Sequence, residues 1–174
     1  MKKICDEEIN WDELVRQIHY NPVTGIFTRK VAISNNSKVG DILSGYHSGG
    51  YATVCVFGRK FLAHRLAWFY HYKVWPSQEI DHINHNRKDN RIENLREVSS
   101  KENSRNQAFR STNTSGYTGL KQFKEKWEAR ISTDSGVKVL GWFNTFEEAL
   151  AARSEAEQTY GYHPNHGRHA KEDM

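Results

Sequence analysis

Cysteine is almost missing from this chain. Among 174 residues there are two, Cys5 and Cys55. A disulfide scaffold is excluded, and so is a zinc knuckle built on paired Cys-x-x-Cys. Long apolar runs are absent too: nothing approaches the roughly 20 residues that span a bilayer. No N-terminal stretch reads as basic, then apolar, then a small-residue cleavage site. Secretion and membrane insertion are therefore not expected, and reducing cytoplasm is the expected compartment. In that setting Cys5 reads as an exposed thiol and Cys55 as a small buried hydrophobe. Apolar residues make up 37% of the chain against 26% charged, which is polar for one core and points to small units with much exposed surface. Neither an internal repeat nor a low-complexity tract is visible. What is plentiful is aromatic: 12%, with five Trp and eight Tyr, enough to argue against full disorder.

The net charge is +4 and the pI about 9.0, a weak pointer to nucleic acid by itself. Its distribution says more. Residues 1–110 carry 17 Lys and Arg against 12 Asp and Glu, whereas residues 111–174 carry 8 against 9. The basic excess sits in the first two-thirds and continues across the junction in Arg105, Arg110, Lys121, Lys124 and Lys126.

Asn10, with Glu13 three residues on, opens a helix whose Trp11, Leu14, Val15 and Ile18 form one apolar stripe. Residues 21–25, Asn-Pro-Val-Thr-Gly, read as a turn. Short strands are expected at 26–29 and 51–57, a helix at 62–72, and strands at 79–83 and 95–98. Ser99 with Glu102 opens a further helix expected to reach about Ala108. Residues 110–115 are the candidate linker. Beyond it, strands at 117–123, 126–132 and 137–143 precede a helix capped by Thr145 and Glu148 and ended by Gly161. The organisation expected is therefore an α+β chain with one unit over 1–110, a second over 111–162 and a mobile tail over 163–174.

The chemistry concentrates between Asp81 and Asn103. A carboxylate, Asp81, stands next to an imidazole, His82, on a short strand. Neighbouring strand residues point to opposite faces, so the two need not share a task. A hard divalent cation takes oxygen ligands, and Asp81 with an Asn carbonyl can supply two. A neutral imidazole nearby can take a proton from water. The surrounding cations suit a phosphodiester. His64, at a helix start among apolar residues, reads as structural or orienting rather than as a metal ligand; Arg65 beside it reads equally as a phosphate contact or a structural cation. His163, His166 and His169 read as solvated side chains.

Residues 61–67 (Phe-Leu-Ala-His-Arg-Leu-Ala), 80–83 (Ile-Asp-His-Ile), 90–98 (Asn-Arg-Ile-Glu-Asn-Leu-Arg-Glu-Val) and 100–103 (Ser-Lys-Glu-Asn) resemble, in order and spacing, the HNH or ββα-metal nuclease motif in its phage homing-endonuclease form. The resemblance extends over about residues 20–108. It implies that Asp81 and Asn103 hold one Mg²⁺ or Mn²⁺, that His82 is the general base, and that Asn94 accepts a hydrogen bond from the imidazole and fixes its tautomer. It implies products with a 3′-hydroxyl and a 5′-phosphate. Arg65, Arg87, Lys88 and Arg105 would contact DNA. Relatives commonly have Gly where this chain has His85, so a positive φ there is one expectation and a phosphate contact another.

Residues 115–120 (Ser-Gly-Tyr-Thr-Gly-Leu), 126–131 (Lys-Trp-Glu-Ala-Arg-Ile), 140–145 (Leu-Gly-Trp-Phe-Asn-Thr) and 147–152 (Glu-Glu-Ala-Leu-Ala-Ala) resemble the Apetala-two/ethylene-response-factor DNA-binding domain. That implies a three-stranded antiparallel sheet braced by one helix, with Lys121, Lys124 and Arg130 meeting the duplex, Trp127 either meeting it too or filling the core, and one of Trp142 and Phe143 in the core. Lys at 121, where plant relatives often have Arg, cannot form the rigid fork to guanine. The combined expectation is a monomeric, site-directed endonuclease of double-stranded DNA in a phage or its bacterial host. The alternative is a sequence-specific DNA-binding regulator with a non-catalytic HNH fold.

Overall fold

A computed structural model describes residues 9–104, 106, 115–164 and 166. Cys5, Arg105, the linker residues 110–114 and His169 lie outside the described residues. The architecture is α+β, and the described residues form two compact units, 9–100 and 101–166.

In the first unit, helix α1 (Trp11–Gln17) starts at Asn10, whose side chain accepts from the Asp12 N–H. The apolar stripe continues through Ile18, but the helical backbone does not. Ile18 is extended and opens β1 (Ile18–Asn21), which pairs antiparallel with β2 (Ile26–Arg29). Between them the Asn21 side chain accepts from the N–H groups of Val23 and Thr24, and Gly25 takes φ +71°. A three-stranded sheet follows: β3 (Gly45–Tyr46), β4 (Ala52–Val56) and β5 (Arg59–Leu62), in that order. Phe57 and Gly58, both at positive φ, make the tight turn that matches the twist of β4 and β5. Strand alternation buries Val54 and Val56 and sends Cys55 outward, so the expected buried thiol is exposed.

Helix α2 (Ala63–Tyr72) buries Leu66, Ala67 and Phe69 and stops at Lys73 in the left-handed region. Beyond it Trp75 stacks on Phe69, with ring centroids 4.2 Å apart. The core gathers Leu14, Ile18, Tyr20, Phe27, Phe61, Leu66, Phe69, Ile80 and Leu95. Each such aliphatic or aromatic side chain stabilises the fold by roughly 1.5–3 kcal/mol through burial. Strand β6 (Glu79–His82) pairs antiparallel with β7 (Leu95–Val98), and a 3-10 turn at Ile92–Asn94 leads into β7.

The second unit begins in α3 (Ser100–Ser104). That helix ends at Ser104, with Asn106 in a turn, short of the expected Ala108. Strands β8 (Leu120–Phe123), β9 (Lys126–Thr133) and β10 (Gly136–Phe143) form an antiparallel sheet in the order β10-β9-β8. Helix α4 (Phe146–Thr159) starts with a full capping box between Thr145 and Glu148. It packs Ala149 against Leu120 and Ala129, with Trp127, Leu140, Phe143 and Phe146 around them. Arg153, 2% exposed, donates to the Arg130 carbonyl and to Glu157. His166 is buried and edge-on to Tyr162, not solvated.

Candidate active site

The β6–β7 hairpin sets two neighbouring side chains on different tasks. Asp81 stands opposite Arg96 in the register, and both Arg96 donors, Nε at 3.0 Å and Nη2 at 2.8 Å, reach its Oδ2. The carboxylate is 8% exposed, so this cation supplies the compensation a buried charge requires. His82, 4% exposed, lies against the Tyr51 and His64 rings, with centroids 6.1 and 5.0 Å from its own.

Residues 83–94 form a loop built largely by its own amide side chains. Asn84 N–H donates to Asn94 Oδ1 at 3.0 Å, and Asn94 Nδ2 donates to the Asp89 carbonyl at 2.8 Å. The Asn84 amide donates to the Asp89 carboxylate; Asn86 N–H donates to Asn84 Oδ1; Lys88 N–H donates to Asn86 Oδ1. These are turn-forming contacts that short polar side chains make with nearby backbone. His85 takes φ +65°, the conformation in which Gly is easiest, and its N–H donates to the His82 carbonyl. Arg91 forks onto Asp89 and, as the largest cause, holds that carboxyl below its ordinary range.

The loop also presents Asn90, buried at 4% exposure. Its carbonyl accepts from the buried Tyr20 hydroxyl at 2.7 Å, and its Nδ2 donates to the Lys88 carbonyl at 3.1 Å. That leaves Oδ1 facing His82 Nε2 at 3.3 Å. An amide oxygen can only accept, so this contact puts the ring proton on Nε2 and makes Nδ1 the basic nitrogen. Burial pushes the His82 pKa below its ordinary value, while the Asn90 contact, Asp81 and Asp89 oppose that shift. The ring is neutral at neutral pH, as a base must be.

The amide paired with the imidazole is thus that of Asn90. Asn94, expected in that role, instead ties both ends of the loop together. The Arg65 guanidinium reaches the carbonyls of Gln78 and Pro76 at 3.2 and 3.4 Å, bracing α2 against the approach to β6. Arg87 donates to the Gly49 carbonyl and stacks on Tyr51, and Lys88 lies over Tyr46. Both cations remain exposed beside the loop. Asn103 lies on α3. Asn90, Arg96 and the packing of Tyr51 and His64 around His82 have no separate mark in the sequence: loop 83–94 holds four Asn, and only the tertiary fold selects one.

In the second unit, β9 alternation turns Ala129 and Ile131 inward and Lys126 and Arg130 outward. Trp127 lies on the inner side, its ring 5.0 Å from that of Phe146, so of the two places expected for it, duplex face and core, it takes the core and the duplex contact at Trp127 falls away. Of the next pair, Phe143 packs inward and Trp142 is 52% exposed. Lys121 and Arg130 are exposed, and the Phe123 and Trp142 rings meet edge to face at 6.2 Å. Lys124 is exposed in the β8–β9 turn at φ +54°.

Among the described residues no group of three or more His, Cys, Asp or Glu is placed to hold a metal ion, and no helix is long and apolar enough to cross a membrane. Residues 61–105 match the family model described as HNH endonuclease. No curated protein and no solved structure matches the chain. The matched segment spans His64, Asp81, His82, Asn94 and Asn103. It supports an HNH nuclease in this part of the chain and suggests activity on DNA.

Proposed function

We propose that the chain is a site-directed endonuclease of double-stranded DNA, of the phage homing type, in which His82 is the general base. The observation that carries this reading is the neutral, buried His82, oriented by Asn90 and adjacent in sequence to the buried Asp81, inside the segment that matches the HNH endonucleases. Nδ1 of His82 takes the proton from the attacking water. Asn90 holds the ring in the required tautomer, and Asn94 holds the loop that carries Asn90. Arg87 and Lys88, exposed at the loop, contact backbone phosphates and position the duplex.

A divalent cation fits the donor chemistry. Asp81 offers a carboxylate whose Oδ2 is already oriented by Arg96, and by the sequence resemblance Asn103 adds an amide oxygen. Two oxygen donors suit Mg²⁺ or Mn²⁺, ions that keep several waters. Such an ion supplies charge stabilisation to the phosphate and the leaving oxygen. The products are a 3′-hydroxyl and a 5′-phosphate. The outer sheet face of the second unit, with Lys121, Arg130, Phe123 and Trp142, adds affinity and site preference, in the manner of the Apetala-two-like domain it resembles. Incubating the chain with phage DNA and Mg²⁺ or Mn²⁺, and mapping the ends of both strands, tests the reading. Defined cuts lost in excess chelator are expected, and full cutting in chelator would contradict the metal role.

A further inference from the structure

We propose that His64 is a further catalytic residue, whose Nδ1 donates a hydrogen bond to a non-bridging oxygen of the phosphate on which His82 acts. This rests on the reading of His82 as the base. Its first support is position: the His64 and His82 rings are 5.0 Å apart at 75°, and the Tyr51 ring packs 5.2 Å from His64. The second is an unmet demand. His64 is 5% exposed, and its Nδ1 is buried with no hydrogen-bond partner. A buried polar atom left unpaired costs its desolvation, and an apolar residue on this face would avoid that cost. A ring that carries such an atom at this cost, 5.0 Å from the ring of the base, is suited to a partner that arrives with the substrate.

The third support is the electrostatics of the helix. His64 is the second residue of α2, whose cap residue, Leu62, makes no side-chain hydrogen bond and whose first turn has no acidic residue. The N–H groups at that end therefore favour an anion. Burial, with His82 and Arg65 nearby, pushes the His64 pKa down to about 3. The ring stays uncharged, so it serves as a donor and leaves proton abstraction to His82. A preorganised donor aimed at developing charge needs no reorganisation as the charge appears.

The test compares His64→Phe, which keeps a ring and removes both nitrogens, with His64→Gln, which restores a side-chain N–H. His82→Ala runs in parallel. Thermal unfolding, Mn²⁺ titration and single-turnover nicking of supercoiled plasmid DNA are read for each. His64→Phe is expected to unfold at or above the parent temperature and to bind Mn²⁺ as the parent does. Its nicking rate should fall on the order of 10²-fold, with partial recovery in His64→Gln. A folded His64→Phe that nicks at the parent rate overturns the proposal, and so does one that loses Mn²⁺ binding, which would make His64 a metal ligand. If His64→Phe does not fold, the wild-type imidazole nitrogen resonances decide: His64 Nδ1 should shift when a short duplex is added in Ca²⁺, and an unmoved resonance overturns the proposal. His82→Ala cutting at the parent rate removes His82 from the mechanism, and with it the reading on which the role of His64 rests. An inactive His82→Ala beside an unimpaired His64→Phe removes only the role of His64.

Discussion

A buried histidine is a useful base only if the fold keeps it neutral, and that has a consequence for stability. His64 titrates at about 3 in the folded chain, against an ordinary value of 6.5. Between those values the unfolded chain binds the proton and the folded chain does not. The stabilisation is therefore complete above the unfolded pKa and is lost as pH falls towards 3. His82 shifts in the same direction. Urea unfolding at pH 5 should show stability lower than at pH 7.5 by about 2 kcal/mol for His64 alone. His64→Phe should remove that share, and a stability unchanged between the two pH values would contradict the burial argument. Two Asn residues should separate just as clearly. Asn94→Ala strips two hydrogen bonds from the loop and should cost roughly 1–3 kcal/mol of stability. Asn90→Ala releases the His82 ring and should lower the nicking rate more than it lowers stability. Equal effects of the two on rate and stability would deny them distinct roles. Asp81 and His82 are legible in the sequence because their motif is local. The partner of His82 is not, because Asn84, Asn86, Asn90 and Asn94 are chemically alike and differ only in where the loop places them.

Elements differ in legibility for a similar reason. Strand β4 and helix α4 can be read from the sequence, one from its β-branched and apolar run, the other from the Thr145–Glu148 cap. Strand β3 has two residues, too few to show an alternation, and β5 opens with two charges, Arg59 and Lys60, before its only apolar residues, Phe61 and Leu62. The outward turn of Cys55 depends on which face of β4 meets α2, which no local pattern encodes. The β1–β2 turn gives a test at this scale. A Cβ on Gly25 would meet Arg91 N and Asn90 C at 2.6 Å, at a φ of +71°. Neither contact is with a flexible tip, so the loop itself must move. Gly25→Ala should destabilise the first unit by about 1–3 kcal/mol and slow nicking, because the residue it displaces is Asn90. Parent-like nicking in a folded Gly25→Ala would show that the placement of Asn90 does not matter.

At the scale of the whole molecule, the proposed function gives cutting to the first of the two compact units and recognition to the second, and linking two such units would raise the effective concentration of the second on DNA. Lys121 and Arg130 are exposed on the sheet, whereas Lys138 donates to the Tyr160 hydroxyl beside α4. Arg130→Gln with Lys121→Gln should weaken DNA binding and flatten its dependence on log salt by about one unit for each phosphate no longer neutralised. Lys138→Gln should do neither, and an equal weakening in both variants would mean that net charge, not a face, binds DNA. Whether His82 performs metal-dependent phosphodiester hydrolysis is decided by single-turnover DNA cleavage at saturating Mg²⁺ by the parent and by His82→Ala. A rate lower by about 10²–10⁴-fold is expected in the variant, with DNA binding nearly unchanged. Equal rates would contradict that role for His82.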